Sequence, residues 1–370
     1  MKLLIHDLSA AEWEQTADLY KGWTIVSDTG GIRPCTGCFR CWTSGSGECV
    51  FRDGYNNMCA LIHEADEMTV MSRYTYGGFS SFVKNVFDRS IGYVLPEFET
   101  AYGEMHHKKR FQEDKPVAFR FRGCGLSEER KERAGEYAAA VCRNLRGTVK
   151  EVVFDECGPL KVSELSHSEP AERSGILFIN CSLRGRRSNT GVFLKRLQED
   201  MGSSSVVVSL SSDNKLEKIV EMIGRVETVV MGVPLYVDGI PASALRLMEK
   251  VEKLGTGCGC SLYALVNNGL YESSQNVNLL KMIRDFCAQN GFIYRGALAI
   301  GAGEVVGTLM RGRRHSLWPA RNAKSGIAHL AKAVKSGSEI EDIYADTFLF
   351  PRWLYILIAN INWQRLKKNR

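Results

Sequence analysis

The sequence predicts an α/β protein: two doubly wound parallel sheets in tandem, helices on both faces of each, and a helical tail at the C-terminus. Three observations carry that expectation. Short, nearly continuous apolar runs recur along the chain, the pattern of strands buried on both faces. Helical stretches of roughly 10–15 residues separate them, so each strand leads into a crossover and not a hairpin. The alternation then halts in a polar stretch, residues 157–174, and begins again, which suits two domains in 370 residues.

The first half opens with the apolar strand 2–5 and continues with strand 67–72. A glycine-rich turn (Tyr76, Gly77, Gly78) and helix 79–89 follow, then strand 116–122, the polar helix 127–145 and strand 150–154. The linker 157–174 holds two prolines and little periodicity. The second half reads as strand 175–180, helix 188–201, strand 205–209, helix 214–224, strand 228–232, helix 239–254, strand 261–266, helix 275–290 and strand 292–300. The expected domains are therefore 1–156, the linker 157–174, 175–310, and a C-terminal helical extension 311–370. Ser72-Arg-Tyr-Thr-Tyr-Gly-Gly in the first half echoes Gly232-Val-Pro-Leu-Tyr-Val-Asp-Gly in the second, each after an apolar strand and before a helix, a weak internal repeat.

Composition narrows the function classes. With 44% hydrophobic and 24% charged residues, the chain reads as an ordinary soluble globular protein. A net charge of +6 suits anionic small molecules and is too slight and too spread to argue for nucleic acid. The apolar run at the N-terminus is too short for a signal peptide. The apolar stretch 348–359 is broken by Pro351 and Arg352 and too short to span a bilayer, so no transmembrane segment is expected. It reads as a docking helix, with a membrane-surface role as the alternative, helped by Lys367, Lys368 and Arg370. Twelve cysteines point to a reducing, cytoplasmic setting.

Four of these cysteines, Cys35, Cys38, Cys41 and Cys49, stand in the spacing C-x2-C-x2-C-x7-C. Thiolates so spaced can supply one soft ligand to each iron of a [4Fe–4S] cluster, with Phe39 and Trp42 to shield it. Zinc held by all four thiolates is a second reading, although such sites usually separate their cysteine pairs further. The third is a tight loop of reduced, metal-free cysteines.

A second candidate site lies between strand 175–180 and its helix, where Ser182, Arg184, Ser188, Asn189 and Thr190 cluster. A phosphate there gains backbone N–H donors and the positive end of a helix dipole. An ordinary capped helix start would carry similar residues. With Pro234-Leu-Tyr-Val-Asp-Gly-Ile-Pro241 and Asn267-Asn-Gly-Leu-Tyr271, this loop makes residues 175–307 resemble the NADPH-dependent FMN reductase branch of the flavodoxin-like family. The resemblance implies FMN, with Ser182, Arg184, Ser188, Asn189 and Thr190 as phosphate ligands. It makes Pro234, Leu235, Tyr236 and Val237 the ring-side loop and Asn268 and Gly269 the loop over the opposite edge.

The first half is similar to iron–sulfur flavoprotein members of the same family. The resemblance rests on residues 34–42, Gly47-Glu-Cys49, Asp53, 72–78, and the helix with Lys84, Asp88 and Arg89. It departs from the pattern after its first strand, where His6-Asp-Leu-Ser9 replaces the phosphate loop. The resemblance thus implies two tandem flavodoxin-like domains. Their activity would be an FMN-dependent oxidoreductase passing electrons from NAD(P)H or a reduced carrier to a small acceptor or redox protein, through a [4Fe–4S] cluster where the cysteines hold one. It allows a homodimer. The rivals are an electron-transfer flavoprotein without its own small substrate and a non-catalytic scaffold. No nucleophile–base or paired-carboxylate set stands out, so the catalytic residues stay unassigned. Glu104-Met-His-His107 reads as a surface or interface feature, Cys258-Gly-Cys260 as packing, and Arg311–Arg314 as a solvated loop within reach of a nucleotide phosphate.

Overall fold

The structure, a computed structural model, describes residues 1–156, 173–202, 205, 207–210, 216–312 and 318–368. It divides into two units, Met1–Lys161 with Ile356–Arg370, and Val162–Tyr355. Most of the expected linker lies outside the described residues.

In the first unit the elements run β1 (Lys2–His6), α1 (Ala10–Thr16), β2 (Thr24–Ser27), α2 (Arg40–Thr43), α3 (Met58–Glu64) and β3 (Glu67–Arg73). Then come α4 (Ser81–Arg89), β4 (Val94–Ala101), β5 (Glu104–Lys109), β6 (Pro116–Gly123), α5 (Glu128–Leu145) and β7 (Thr148–Glu156). The main sheet is parallel, in the order β2-β1-β3-β6-β7. Numbered within the sheet this is 2-1-3-4-5, the flavodoxin-like winding. Its centre is apolar as the sequence implies: Leu3, Leu4, Ile5, Val70, Phe119 and Phe121 are buried. Ser127 caps α5 by accepting from Arg130 N, and Glu128 and Glu129 complement the dipole of its first turn.

One piece departs from the expected crossover pattern. β4 and β5 form a separate antiparallel hairpin turned by Tyr102 and Gly103, both at positive φ. Its strand β5 carries His106 and His107, which point to opposite faces by strand alternation. Of the surface or interface role expected for this pair, the surface half is corrected: His106 is buried, and His107 is half-buried against Trp42 (ring centroids 4.7 Å) and Phe98 (4.5 Å).

The second unit runs β8 (Ile176–Asn180), α6 (Asn189–Met201), β9 (Val207–Ser209), α7 (Leu216–Ile223), β10 (Thr228–Pro234), α8 (Ala242–Leu254), β11 (Ser261–Asn267) and α9 (Val277–Asn290). β12 (Ile293–Ile300), α10 (Gly303–Arg311), α11 (Arg321–Ser336) and β13 (Ile343–Ala345) follow, and the last helix, α12 (Arg352–Lys368), begins in this unit and passes into the first at Ile356. All the strands of its sheet are parallel, in the order β9-β8-β10-β11-β12-β13: the same winding with a sixth strand. The stretch after residue 310, expected as an extension, contributes to this core. Ile327, Leu330 and Ala331 of α11 pack with Phe178, Phe193 and Leu194. Gly326 lets α11 approach the sheet, since a Cβ there would lie 2.5 Å from Leu298 Cδ1. The chain is thus a tandem pair of flavodoxin-like α/β units.

α12 divides its contacts. Tyr355 is buried in the second unit, its hydroxyl donating to Gly269 O (2.7 Å). In the first unit, Asn360 accepts from Phe98 N (2.7 Å) and donates to Phe98 O (3.0 Å), and Lys367 pairs with Glu97. Among the described residues no helix is long and apolar enough to cross a membrane.

The internal repeat has a structural counterpart. Thr75 and Gly78 exchange both backbone hydrogen bonds (3.0 and 2.9 Å), and so do Tyr236 and Gly239 (3.1 and 3.0 Å). Each pair brackets two residues at positive φ, Tyr76 and Gly77 in one unit, Val237 and Asp238 in the other. The spacing from β3 to its turn equals that from β10 to its turn.

Candidate functional site

The cysteine loop follows β2 and folds back against α4. Asn85 of α4 pins it from both sides: Cys35 N donates to Asn85 Oδ1 (3.3 Å), and Asn85 Nδ2 donates to Arg33 O (3.3 Å). Phe39, at φ 57, starts the single-turn α2 that carries Cys41 and Trp42, and the Trp42 indole N–H donates to Ile91 O (2.8 Å) and Val94 O (2.9 Å). Gly47 N donates to Cys41 O and Cys49 N to Asn56 O, returning Cys49 to its partners.

As a result Cys35, Cys38, Cys41 and Cys49 all line one small open cavity, with Phe39, Phe51, Asp88 and Arg89 also in its wall. Burial pushes the Cys35 and Cys41 thiols up, Cys41 to about 12, and the neighbouring sulfurs add to this. Without a cation these two therefore stay protonated, whereas bound iron or zinc would favour the thiolates. Among the described residues no group of three His, Cys, Asp or Glu side chains is placed to grip one metal ion. The thiols share a cavity without closing on a single point.

An ionic set backs this cavity. Lys84 and Asp88 form a buried ion pair one turn apart on α4, and Arg89 pairs with Asp53 while donating to Phe51 O (3.1 Å) and Arg33 O (3.3 Å). Burial works against the Arg89 charge, yet Asp53 and a hydrogen bond to Cys49 hold its pKa above the usual value. Sequence reasoning had these residues only as part of a family likeness. The signal in the chain was the run Lys-Asn-x-x-Asp-Arg inside an otherwise apolar helix start.

In the second unit the strand order reverses between β8 and β10, where ligands of such sheets bind. The loop after β8 is internally braced. Asn180 Oδ1 accepts from Ser182 N (3.0 Å), its amide donates to Gly185 O (3.0 Å), and Ser182 Oγ accepts from Arg184 N (3.4 Å). Ser188 caps α6, accepting from Gly191 N (2.9 Å) and donating to Gly185 O (2.6 Å). Thr190 donates to the buried Asn267 Oδ1 (2.8 Å), and Asn267 O accepts from Leu235 N (2.8 Å). Thr190, Asn267 and Leu235 thereby link the three loops by hydrogen bonds.

Arg311 at the end of α10 donates to Arg187 O (3.1 Å) and Asn189 Oδ1 (2.6 Å), and Arg184 stands 3.9 Å from Glu304. Arg311 was expected in a solvated loop; it lies instead against the start of α6, while 313–317 are outside the described residues. Gly303 and Gly307 let α10 press on this edge: a Cβ at Gly303 would lie 2.6 Å from Asn268 O, and one at Gly307 would clash with Asn189. Pro234 ends β10, and Tyr236 and Val237 belong to the turn described above, with Val237 at φ 40, a strained angle for a β-branched residue. Asn268 Oδ1, Ser273 Oγ and Asn276 Oδ1 are buried with no hydrogen-bond partner among the described residues. Gly269 stays beside them, bonded to Tyr355.

The corresponding edge of the first unit is filled differently. His6 is buried, stacked on Trp13 (4.5 Å, 13° between planes), and burial with the Arg122 charge lowers its pKa to about 4. Asp7 accepts from Arg73 N through both oxygens (3.0 and 3.1 Å), and Glu12 forms a capping box with Ser9 and an ion pair with Arg122 (2.6 Å). Two carboxylates and a neutral imidazole do not fit a phosphate.

No family model and no curated protein matches the chain. Among solved structures it is similar to the Trp repressor binding protein of Bacillus subtilis, at 14% identity and a TM-score of 0.31 over 39% of this chain and 97% of that one. It is also similar to an NADPH-quinone reductase from P. pentosaceus (19%, TM-score 0.32, 44% and 97%). A third likeness is to the rubredoxin oxygen:oxidoreductase of Desulfovibrio gigas (11%, TM-score 0.29, 77% and 80%). At these scores the assignment of fold rests on strand order, and function rests on the sites.

Proposed function

We propose that the chain is an FMN-dependent oxidoreductase, with the flavin at the β8/β10 edge and a [4Fe–4S] cluster in the cysteine cavity. Electrons would come from NAD(P)H or a reduced carrier and leave to a small acceptor or a redox protein. The observation that carries the reading is the meeting of the three loops at the switch point of the second sheet, with the N-terminus of α6, Arg184 and Arg311 beside them. A helix N-terminus and two guanidiniums suit a phosphate. FMN, when bound, supplies hydride acceptance and one- or two-electron transfer. Ser182, Ser188, Asn189 and Thr190 fix the loop shape around the phosphate. Pro234 to Val237 flank the ring, and the unpartnered Asn268 Oδ1 offers a buried acceptor to a polar ligand edge. Cys35, Cys38, Cys41 and Cys49 would ligate the cluster, and Arg89 at Cys49 offsets negative charge there.

A scaffold without catalysis is the second reading. It is favoured by one observation: the Ser188 and Thr190 hydroxyls already have protein partners. The deciding experiment is purification without oxygen, with an absorbance spectrum and quantification of FMN, iron and zinc per chain. Flavin bands with about four irons support the two-centre reading. FMN without metal leaves a flavin reductase with structural cysteines. Neither cofactor after reconstitution overturns the enzyme reading in favour of the scaffold.

A further inference from the structure

We propose that the outward face of α12 docks on an anionic membrane surface. The inward side of its second half is fully committed to the first unit: Asn360 pairs with Phe98, Lys367 with Glu97, and Trp363 packs edge-on against Phe39 (5.5 Å) and Trp42 (5.4 Å). A helix anchored in this way on a soluble protein ordinarily turns polar residues outward. α12 does not. Residues 353–359 carry no charged side chain, and Trp353 (67% exposed), Leu357 (50%), Ile358 (45%) and Ile361 (41%) are exposed to solvent. Trp353, Leu357 and Ile361 succeed one another at four-residue intervals, so they form one row along the helix. The row continues into Arg365 and Lys368, both exposed.

Charge selects the occupant. α12 holds no acidic residue, and of its four cations Arg352 pairs with Glu272 and Lys367 with Glu97, so Arg365 and Lys368 carry the charge at the end of the exposed row. A second copy laid parallel on the same face would bring these two cations against their own counterparts. An anionic lipid surface meets the basic end with opposite charge and the apolar row with its headgroup–acyl boundary, where the Trp353 indole also belongs. At 17 residues the helix is about 25 Å long and lies on such a surface without crossing it. The proposal is independent of whether the chain binds flavin or iron.

The test is co-sedimentation of the full chain with vesicles of phosphatidylglycerol and phosphatidylcholine, against phosphatidylcholine alone, at two salt concentrations, with light scattering for oligomeric state. Binding to the anionic vesicles that falls with salt is expected. Replacing Leu357 and Ile361 together (L357D/I361D) should abolish it, and R365E/K368E should weaken it by roughly tenfold or more. All four side chains are exposed, so an unchanged thermal melt serves as the folding control. No vesicle binding by the wild type, or equal binding by L357D/I361D, overturns the proposal. Self-association that L357D/I361D abolishes, without vesicle binding, overturns it in favour of a second copy.

Discussion

α4 and α8 occupy the same place in the two units, each after a seven-residue strand and the same two-residue turn, yet they bury opposite chemistry. The fourth helical residue is Lys84 in α4 and Leu245 in α8, and both are buried. The eighth and ninth are Asp88 and Arg89, buried in the first unit, and Glu249 and Lys250, half-buried in the second. Burying charge costs more than burying leucine unless every charge is paired. Since α8 shows that the fold runs well on Leu245, Leu247 and Met248, the ionic face of α4 is not needed by the frame. It belongs to the cysteine cavity, whose wall includes Asp88 and Arg89.

The sharpest way to break this comparison is Asp88→Ala. It removes the carboxylate paired with the buried Lys84 ammonium and should cost roughly 3–5 kcal/mol in denaturant unfolding. K84M/D88L should return most of that stability while lowering iron content; a double variant as unstable as the single would show the ion pair to be structural after all. The next effect is acid lability confined to the first unit. His6 has an ordinary pKa of 6.5 when unfolded and about 4 when buried. Between those values the unfolded chain binds a proton that the folded one does not, so stability falls as pH drops from 6.5 to 4, by up to about 3 kcal/mol. His107, also lowered to about 4 by burial, adds to it. Hydrogen exchange at pH 5 should find the first unit opening before the second, and His6→Phe should reduce the difference.

In the second unit, Thr190→Val leaves the buried Asn267 Oδ1 without its donor and should cost about 1–3 kcal/mol. Flavin retention after gel filtration should fall with it, whereas a matched loss of stability with full flavin retention would detach Thr190 from the site. The smallest effect compares two caps. Ser9→Ala and Ser188→Ala should each cost about 1 kcal/mol in thermal melting. Only the second should alter FMN affinity, measured by fluorescence titration.

The strands and long helices were legible because burial on both faces writes itself as apolar runs: 67–72, 116–122 and 261–266 all fall within strands of the structure. The β4–β5 hairpin was not, because His106, His107, Lys108 and Lys109 break the alternation that marks a half-buried strand. β13 is three residues long and leaves no periodic trace. α11 was hidden by its small residues, whose role emerges only when Gly326 meets Leu298. At the sites, the cysteine spacing singled out four side chains that do line one cavity, but not that they fail to converge on a single metal ion among the described residues. Nothing local ties Arg311 to Asn189 or Thr190 to Asn267, partners separated by 122 and 77 positions.

The division of α12 between the units bears on synthesis. Phe98 finds Asn360 across 262 positions, and Phe39 and Trp42 meet Trp363 only when the last helix exists. At about 5–20 residues per second, the ribosome needs roughly 10–50 s between the two. The N-terminal unit, first to emerge, is thus the last to be completed, and its cysteine loop waits without Trp363 while the second unit folds. For that interval Phe39 and Trp42, the two rings of the cysteine loop, lack the indole that later packs edge-on against them.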